Sequence, residues 1–315
     1  MLTMPAHQTL RSTARHAISM PTVLFAALAL LSLGAAPARA QVGTIVIAHG
    51  GDSLWNALVT QVADQANTGG PVEVSFLMGA GAKTARFQDA VARLEAKGVS
   101  SITVVPMLVS SHSGHYDQIR WLAGADIEIS ETMHHHLHMA GIERSDTKLP
   151  IHVTPAMDDA SQVAQVLTDR ALAMTRAAGD KPSDRAVLIV GHGPNSAEDY
   201  ASWMENLRRV ADVVRATSGF RDVRVELVRD DAPAPVRAEA VTRVRELIEL
   251  QAMVTGKDVI VVPVLVSKGT VSRDKVPADI KDTPSVYAGE PLLPHPAMAR
   301  WIESRVRSAR MASNR

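Results

Sequence analysis

The apolar residues of the chain occur in two patterns that alternate along the sequence. Short, nearly continuous apolar runs such as "TIVIA" (Thr44–Ala48) are rich in β-branched residues and predict strands of a parallel sheet that is covered on both faces. Longer stretches such as Ser53–Gln65 carry apolar residues every three or four positions, which predicts amphipathic helices. The alternation of the two patterns predicts an α/β protein built from doubly wound sheets.

The predicted strands form two groups of four. The strands of the first group are Thr44–Ala48, Val72–Leu77, Ser101–Leu108 and Ile151–Thr154. Those of the second group are Ala186–Val190, Val223–Val228, Asp258–Val266 and Ser285–Ala288. The predicted helices are Ser53–Gln65, Thr84–Ala96, Ala197–Thr217, Pro235–Met253 and Pro296–Met311.

Internal repetition shows that the two groups of strands are related. "TIVIAHGG" (Thr44–Gly51) resembles "VLIVGHGP" (Val187–Pro194), and "VVPMLVS" (Val104–Ser110) is nearly identical to "VVPVLVS" (Val261–Ser267). The order of elements is the same in both groups. We therefore expect two similar doubly wound halves, each with a mainly parallel four-stranded sheet.

We expect the two halves to occupy residues 41–180 and 181–315. The first half carries an insertion at about 125–150 that the second half lacks.

Residues 1–40 differ from the rest of the chain. They contain three arginines, no acidic residue, an apolar run at Thr22–Ala36 and small residues just before Gln41. This is the pattern of a cleaved secretory signal peptide, and the apolar run is shorter than the roughly 20 residues of a membrane span. We therefore expect an exported, periplasmic protein with no stable membrane anchor.

Charge and cysteine content narrow the classes of partner and site. Removal of the signal segment takes away three of the 33 basic residues and leaves 30, against 33 acidic residues. This slight excess of negative charge argues against a nucleic-acid partner. The chain has no cysteine, so a disulfide and a cysteine nucleophile are excluded. A metal site would have to use histidine, methionine or carboxylate ligands. The oligomeric state is left open by the sequence.

Histidines directly follow three of the predicted strands. His49 and His192 follow the first strand of each half, and His112 and His115 follow the third strand of the first half. Ligands of doubly wound sheets bind at this edge, where an imidazole can hold a metal ion or transfer protons near neutral pH. Helix capping and a polar loop are the alternative interpretations. Since first and third strands are commonly neighbours, we expect His49 to be joined by His112 or His115.

Two further segments have an unusual composition. "MHHHLHM" lies in the insertion and predicts an accessory metal-binding arm or lid, an adventitious solvated loop, or a helix across the cleft. Its imidazoles are those of His134, His135, His136 and His138. "GAGAKT" (Gly79–Thr84) lacks the spacing of a dinucleotide fingerprint and of a P-loop, so we predict a glycine-rich turn there.

The repeated pattern of strand, "HG" and helix, followed by "VVPxxL" and a histidine turn, resembles the class II tetrapyrrole chelatases. It is most similar to the long, two-half sirohydrochlorin cobalto- and ferrochelatases of the CbiX and SirB type. "YAGEPLLPHPAMARWI" (Tyr287–Ile302) also resembles the closing segment of that family. The resemblance implies a metal-chelating lyase whose substrates are a divalent ion, Co²⁺ or Fe²⁺, and a tetrapyrrole held between the halves.

The same resemblance implies roles for individual residues. His49 and His115 would bind the metal and accept the pyrrole protons, with His112 as the competing assignment to His115. Met78 stands where the family has a glutamate after the second strand, so His192, Met78 and Asp230 are expected to line the cleft. Asp230 and its neighbour Asp231 could substitute for the missing acid. The alternative function is a periplasmic carrier of metal or metallotetrapyrrole without catalysis.

Overall fold

The described part of the chain contains eight strands, which form two four-stranded sheets in which every strand pair is parallel. The computed structural model describes residues 41–313, so the predicted signal segment lies outside the described residues. The first sheet consists of β1 (Val42–Ala48), β2 (Val72–Phe76), β3 (Ser101–Met107) and β4 (Ile151–Val153). The second sheet consists of β5 (Ala186–Gly191), β6 (Asp222–Leu227), β7 (Val259–Val264) and β8 (Ser285–Tyr287).

The strand order is the same in both sheets, β2-β1-β3-β4 and β6-β5-β7-β8. The prediction of two similar α/β halves with parallel four-stranded sheets is therefore confirmed. β1 and β3 are neighbours, with Ala48 paired to Met107, so the turns that follow them lie at the same edge of the sheet. Strands β5 and β7 are neighbours in the same way.

Within residues 41–313, ten α-helices connect or follow the strands. Those of the first half are α1 (Ser53–Gln65), α2 (Gly79–Thr84), α3 (Phe87–Ala96), α4 (Gly114–Leu122), α5 (Glu131–Ala140) and α6 (Ser161–Ala177). Those of the second half are α7 (Ala197–Ser218), α8 (Ala234–Thr255), α9 (Val276–Asp279) and α10 (Pro296–Ser313). A 3-10 turn at Pro182–Asp184 precedes β5, and a π-helical turn at Val271–Lys275 precedes α9. Within the described part of the chain, no helix combines the length and apolar character needed to cross a membrane.

In the first half one local prediction is wrong, and one of the alternatives for the histidine-rich segment is observed. The glycine-rich turn at Gly79–Thr84 is the short helix α2, and a break at Ala85 separates it from α3, where one helix was expected. Gly81 allows close packing in this helix, because a Cβ there would lie 2.5 Å from the Asn56 amide nitrogen and 2.9 Å from the Phe76 ring. The segment with four histidines is the helix α5, so of the predicted alternatives the helix is observed and the loop is not.

The last helix of each half packs against the other half. Helix α6 contacts β7 and α7, and α10 contacts β3, α1 and α6. Arg305 of α10 donates to the Ala156 carbonyl oxygen at 2.6 Å, and Glu303 accepts from the Asn67 backbone N–H at 2.8 Å. One cluster of buried apolar residues runs from Ile45 to Val306 across both sheets. This exchange of helices holds the two halves in one compact unit.

Candidate functional site

His49 lies in the turn that leads from β1 to α1. Its Nδ1 donates to the Gly50 carbonyl oxygen at 2.8 Å, which leaves Nε2 as the free, unprotonated nitrogen of the neutral ring. Gly50 has a φ of +96°, and a Cβ there would lie 2.3 Å from the Met78 carbonyl oxygen. Only glycine fits at the second position of the "HG" dipeptide, and the tight turn that it permits orients the imidazole of His49.

The histidine turn that follows β3 is held in place by several side chains. Asp158 accepts hydrogen bonds from the backbone N–H and the hydroxyl of Ser111, both at 2.7 Å. Trp203, which belongs to the second half, donates from Nε1 to the His112 carbonyl oxygen at 2.6 Å. Ser113 caps α4 by accepting from the Tyr116 N–H at 3.3 Å, so His115 lies in the first turn of that helix.

His49 and His115 form a pair at the carboxyl edge of the first sheet. Their rings meet edge to face, with 4.7 Å between the ring centres and 83° between the planes. Burial lowers the pKa of His49, and burial together with the neighbouring His49 lowers the pKa of His115 to about 4. Both imidazoles are therefore neutral at neutral pH, the form that binds metal. The competing candidate His112 is exposed.

Gln118 determines which nitrogen of His115 carries the proton. Its amide nitrogen donates to the Met133 carbonyl oxygen at 2.8 Å, so its Oε1 must face His115 Nδ1, which lies 2.7 Å away. A carbonyl oxygen only accepts, hence Nδ1 of His115 is the protonated nitrogen and Nε2 is free. Gln118 is completely buried. The sequence offered no signal for this role beyond its place one turn after His115.

Helix α5 begins and ends at residues that favour helix termini. Ser130 accepts from the Met133 N–H at 3.3 Å, and Gly141 ends the helix with a φ of +65°. Leu137 is the buried residue of the helix and anchors it to the core. His136 lies beside His115, with 6.3 Å between the ring centres and 23° between the planes.

The remaining histidines of α5 face away from this pair. His134, His135 and His138 are exposed, and the ring of His134 contacts Trp121 edge to face at 5.2 Å. The structure therefore separates the four predicted accessory ligands into one next to the His49–His115 pair and three on the outer surface.

His192 repeats the local geometry of His49 in the second half but is in a different protonation state. Its Nδ1 donates to the Gly193 carbonyl oxygen at 2.7 Å, and its Nε2 lies 3.1 Å from a carboxylate oxygen of Asp231. Burial alone would lower the pKa of His192, but the hydrogen bond and the charge of Asp231 raise it overall. Because both ring nitrogens face acceptors, this ring is suited to the protonated form.

Within residues 41–313, three side chains offer ligand atoms within 4.8 Å of one another, those of His192, Asp230 and Asp231. The side chain of Asp230 is 3% exposed and already pairs with two cations, Lys275 at 2.6 Å and Arg237 at 3.3 Å. Its charge is therefore compensated without a metal ion. Both ring nitrogens of His192 also have hydrogen-bond partners. We therefore interpret these three residues as an ion-pair network more than as a metal site.

The edges of the two sheets that carry the histidines face each other. Arg273, in the turn that follows β7, pairs with Asp52 at the start of α1, with 3.1 Å between the charged atoms. A Cβ on Gly269 would lie 3.5 Å from the Trp55 ring. The charges of His192 and Asp231 act on the pKa of His49, which places these groups in the same electrostatic environment. The two halves thus enclose the site from opposite sides.

Comparison with protein-family models gives a match over both halves. The model of the CbiX family matches residues 43–173 and again residues 186–309. No curated protein matches the chain. The two matched segments correspond to the two sheets with their helices.

Solved structures of similar fold include three relevant proteins. SirB from Bacillus subtilis, determined with Fe³⁺, shares 16% identity with a TM-score of 0.58 over 87% of this chain and 97% of its own. The sirohydrochlorin chelatase SirB from Bacillus subtilis subspecies spizizenii, in complex with cobalt, shares 15% sequence identity. The TM-score is 0.54, and the match covers 85% of this chain and 94% of that protein. CbiX, described as the terminal enzyme for biosynthesis of siroheme in denitrifying bacteria, shares 16% sequence identity. The TM-score is 0.51, and the match covers 85% of this chain and 99% of that protein.

Proposed function

The chain belongs to the CbiX family, and we propose that it is a metal chelatase that inserts a divalent ion, Co²⁺ or Fe²⁺, into a sirohydrochlorin-type tetrapyrrole. The observation that carries the proposal is the pair of neutral imidazoles, His49 and His115, at the edge of the first sheet. Structures of similar fold with Fe³⁺ and with cobalt support a role in metal handling. The metal is a substrate of this reaction.

The imidazole pair is suited to hold a divalent ion for a limited time. Each ring has its Nδ1 proton engaged, by Gly50 in one case and Gln118 in the other, so the Nε2 lone pairs are available. Fixing the second nitrogen orients the ring and makes it a better ligand. Imidazole binds borderline ions such as Co²⁺ and Fe²⁺, and two neutral ligands without a carboxylate hold them less firmly than a closed structural site.

Metal insertion must also remove two protons from the tetrapyrrole nitrogens. One divalent ion enters as two protons leave, so the charge of the ring system is balanced only when bases take up both protons. As the ion passes to the ring, Nε2 of His49 and of His115 become free to accept one proton each. Because burial lowers the pKa of both imidazoles, they then release these protons to water and return to the metal-binding form.

We place the tetrapyrrole between the facing edges of the two sheets. The contact of Arg273 with Asp52 connects these edges, and Trp203 of the second half holds the turn that carries His112. A flat ligand in this position would present its ring nitrogens to His49 and His115. His192, Met78 and Asp230 would lie around it, as the predicted cleft-lining residues.

A carrier of metal or metallotetrapyrrole without catalysis is the second candidate function. The observation that favours it is Met78, which stands where the family resemblance puts an acid and is only half-buried beside the site. A carrier would bind Co²⁺ or the metallated ring tightly and show no insertion with any divalent ion. Calorimetry combined with an insertion assay separates the two functions.

We further propose that the protein is exported after cleavage before Gln41. The support is the composition of residues 1–40, which carry three arginines, no acid and one apolar run. The test is fractionation of a bacterium that expresses the full chain. Recovery in the periplasm, with Gln41 as the N-terminus by mass spectrometry, is expected, and an intact N-terminus in the cytoplasm would contradict the proposal.

The insertion activity can be tested with the purified chain, free of any histidine tag. Sirohydrochlorin and Co²⁺ are mixed under anaerobic conditions, and metallation is followed by the change in visible absorbance. We expect rapid metallation with the wild type and loss of at least about 100-fold with His49→Ala, which removes a metal ligand and a proton acceptor at once. His135→Ala, an exposed histidine outside the pair, is the matched control and should keep the wild-type rate.

A further inference from the structure

Helix α5 brings a third imidazole, that of His136, next to the His49–His115 pair. The ring of His136 is nearly parallel to that of His115, with 6.3 Å between the centres. Burial is the main cause of the lowered pKa of His49 and of His115, and the nearby His136 lowers the pKa of both rings further. This helix belongs to the insertion, so the arrangement has no counterpart in the second half.

The Nδ1 atom of His136 is buried and has no hydrogen-bond partner. A buried polar atom without a partner is costly, and such atoms are rare in folded proteins. A ligand for this ring would remove the cost. The exposed histidines of the same helix do not share this property, because water is available to them.

The position of His136 is determined by the packing of α5. Leu137, its neighbour, is 2% exposed and belongs to the hydrophobic core. The Gln118 amide links the backbone of α5, at Met133, directly to Nδ1 of His115. Gln118 thus fixes the position of α5 relative to the ring of His115. His136 is therefore carried by a helix whose position is fixed.

The site of the first half lacks a third protein ligand without His136. Met78 replaces the acid that the family resemblance predicts after the second strand, and a thioether is a weak ligand for Co²⁺ or Fe²⁺. Sites that bind a metal and keep one position open for a substrate commonly use three protein ligands. Two imidazoles alone therefore leave the coordination incomplete.

We propose that His136 is the third metal ligand, so that three imidazoles hold the ion before it is inserted. A metal–nitrogen bond is about 2.1 Å long and the ring centre lies about 1 Å beyond the nitrogen, so two imidazoles on one ion have centres up to roughly 6 Å apart. The 6.3 Å between the ring centres of His136 and His115 is slightly more than this maximum, and the ligand atoms of the three histidines do not all lie within 4.8 Å of one another in the described residues. The ring of His136 must therefore turn toward the ion when the metal binds. This inference rests on the metal site of the proposed function.

The test uses Co²⁺ as the probe and compares His136→Ala with His135→Ala and His138→Ala, exposed residues of the same helix. Co²⁺ affinity is measured by calorimetry, and the number of imidazole ligands by X-ray absorption at the cobalt edge. We expect three imidazoles in the wild type and in both controls. His136→Ala should show two imidazole ligands and a Co²⁺ affinity at least about tenfold lower.

His136→Gln, which preserves polarity and length, provides a second variant, and circular dichroism reports whether α5 persists.

The outcome separates this inference from the proposed function. If His136→Ala and His136→Gln both keep the wild-type affinity and imidazole count, His136 is not a ligand, although insertion that depends on His49 would still support a chelatase. If His49→Ala inserts metal at the wild-type rate, the proposed function itself is wrong, whatever the result with His136.

Discussion

Met78 and Asp230 occupy the same position in the two halves of the molecule. The Met78 N–H donates to the His49 carbonyl oxygen at 2.8 Å, and the Asp230 N–H donates to the His192 carbonyl oxygen at 3.3 Å. The first half therefore combines two histidines with a methionine, whereas the second combines one histidine with an acid. Each half lacks a different member of the set that the family resemblance implies, and only the first retains the pair of neutral imidazoles.

Replacing Met78 with glutamate should restore the missing acid beside His49. A carboxylate adds a ligand and a negative charge close to the ion, so we expect Co²⁺ to bind about tenfold more tightly at pH 8, where all ligands are deprotonated. Met78→Gln adds a polar side chain of the same length without the charge, and serves as the control. Equal affinities of the two variants by calorimetry would show that position 78 does not face the ion.

Gln118 acts on the metal through His115, since its amide holds the Nδ1 proton of that ring. Gln118→Leu should lower Co²⁺ affinity by about 10- to 100-fold, the range found when partners of metal-binding histidines are removed. Gln118→Glu keeps an acceptor opposite Nδ1 and should recover most of the affinity. A purely structural role predicts no such recovery, because the hydrogen bond to the Met133 carbonyl oxygen is lost in Gln118→Glu as well as in Gln118→Leu.

The stability of the protein should fall between neutral and mildly acidic pH. The pKa of His115 drops from 6.5 in the unfolded chain to about 4 in the fold, chiefly because of burial. Between these values the unfolded state binds more protons, so the free energy of unfolding decreases as the pH falls through that window. His115→Gln should make this decrease shallower in denaturant titrations at pH 7.5 and pH 5. An equal decrease in both proteins would contradict the burial of an uncharged ring.

Gly50 should tolerate no side chain, because both its φ of +96° and the Met78 carbonyl oxygen oppose a Cβ. Gly98 provides the control, with a φ of +71° and no atom within 4 Å of the Cβ position. Gly98→Ala should cost about 1 kcal/mol of unfolding free energy from backbone strain alone. Gly50→Ala should cost more and weaken Co²⁺ binding as well. Similar costs for the two variants, measured by denaturant unfolding, would argue against the close contact at Gly50.

Much of the fold could be predicted from the sequence because its strands are buried on both faces. The continuous apolar runs at Thr44–Ala48 and Val187–Val190 identify central strands, and the repeat identifies two sheets. The exchange of the last helices could not be predicted. Whether α10 packs on its own sheet or on the other depends on contacts between residues far apart in the sequence, such as Arg305 and Ala156.

Helix α5 shows why a local signal can be present and still insufficient. Ser130 and Gly141 have the capping roles that mark a helix, and both can be read in the sequence. The apolar periodicity between them is weak, because Leu137 is the only residue of the helix that is buried and four of its neighbours are histidines. The helix is held in place by contacts with Gln118 and the core, which the sequence pattern does not show.

For a comparable reason, only part of the geometry of the candidate site could be predicted from the sequence. Histidines at strand ends could be placed at one edge of the sheet, because β1 and β3 were expected to be neighbours. The choice between His112 and His115 depends on where α4 begins, which is determined by the Ser113 cap. The protonation state of His115 depends on Gln118, whose orientation follows from Met133 in the insertion.

The most direct test of the central claim compares His115→Ala with His112→Ala in the sirohydrochlorin assay with Co²⁺. The two histidines lie in the same turn region, but only His115 contacts His49. We predict that His115→Ala lowers the rate of metallation by at least about 100-fold, since a ligand and a proton acceptor are lost together, whereas His112→Ala keeps the wild-type rate. A wild-type rate in His115→Ala would contradict the assignment of the metal to the His49–His115 pair.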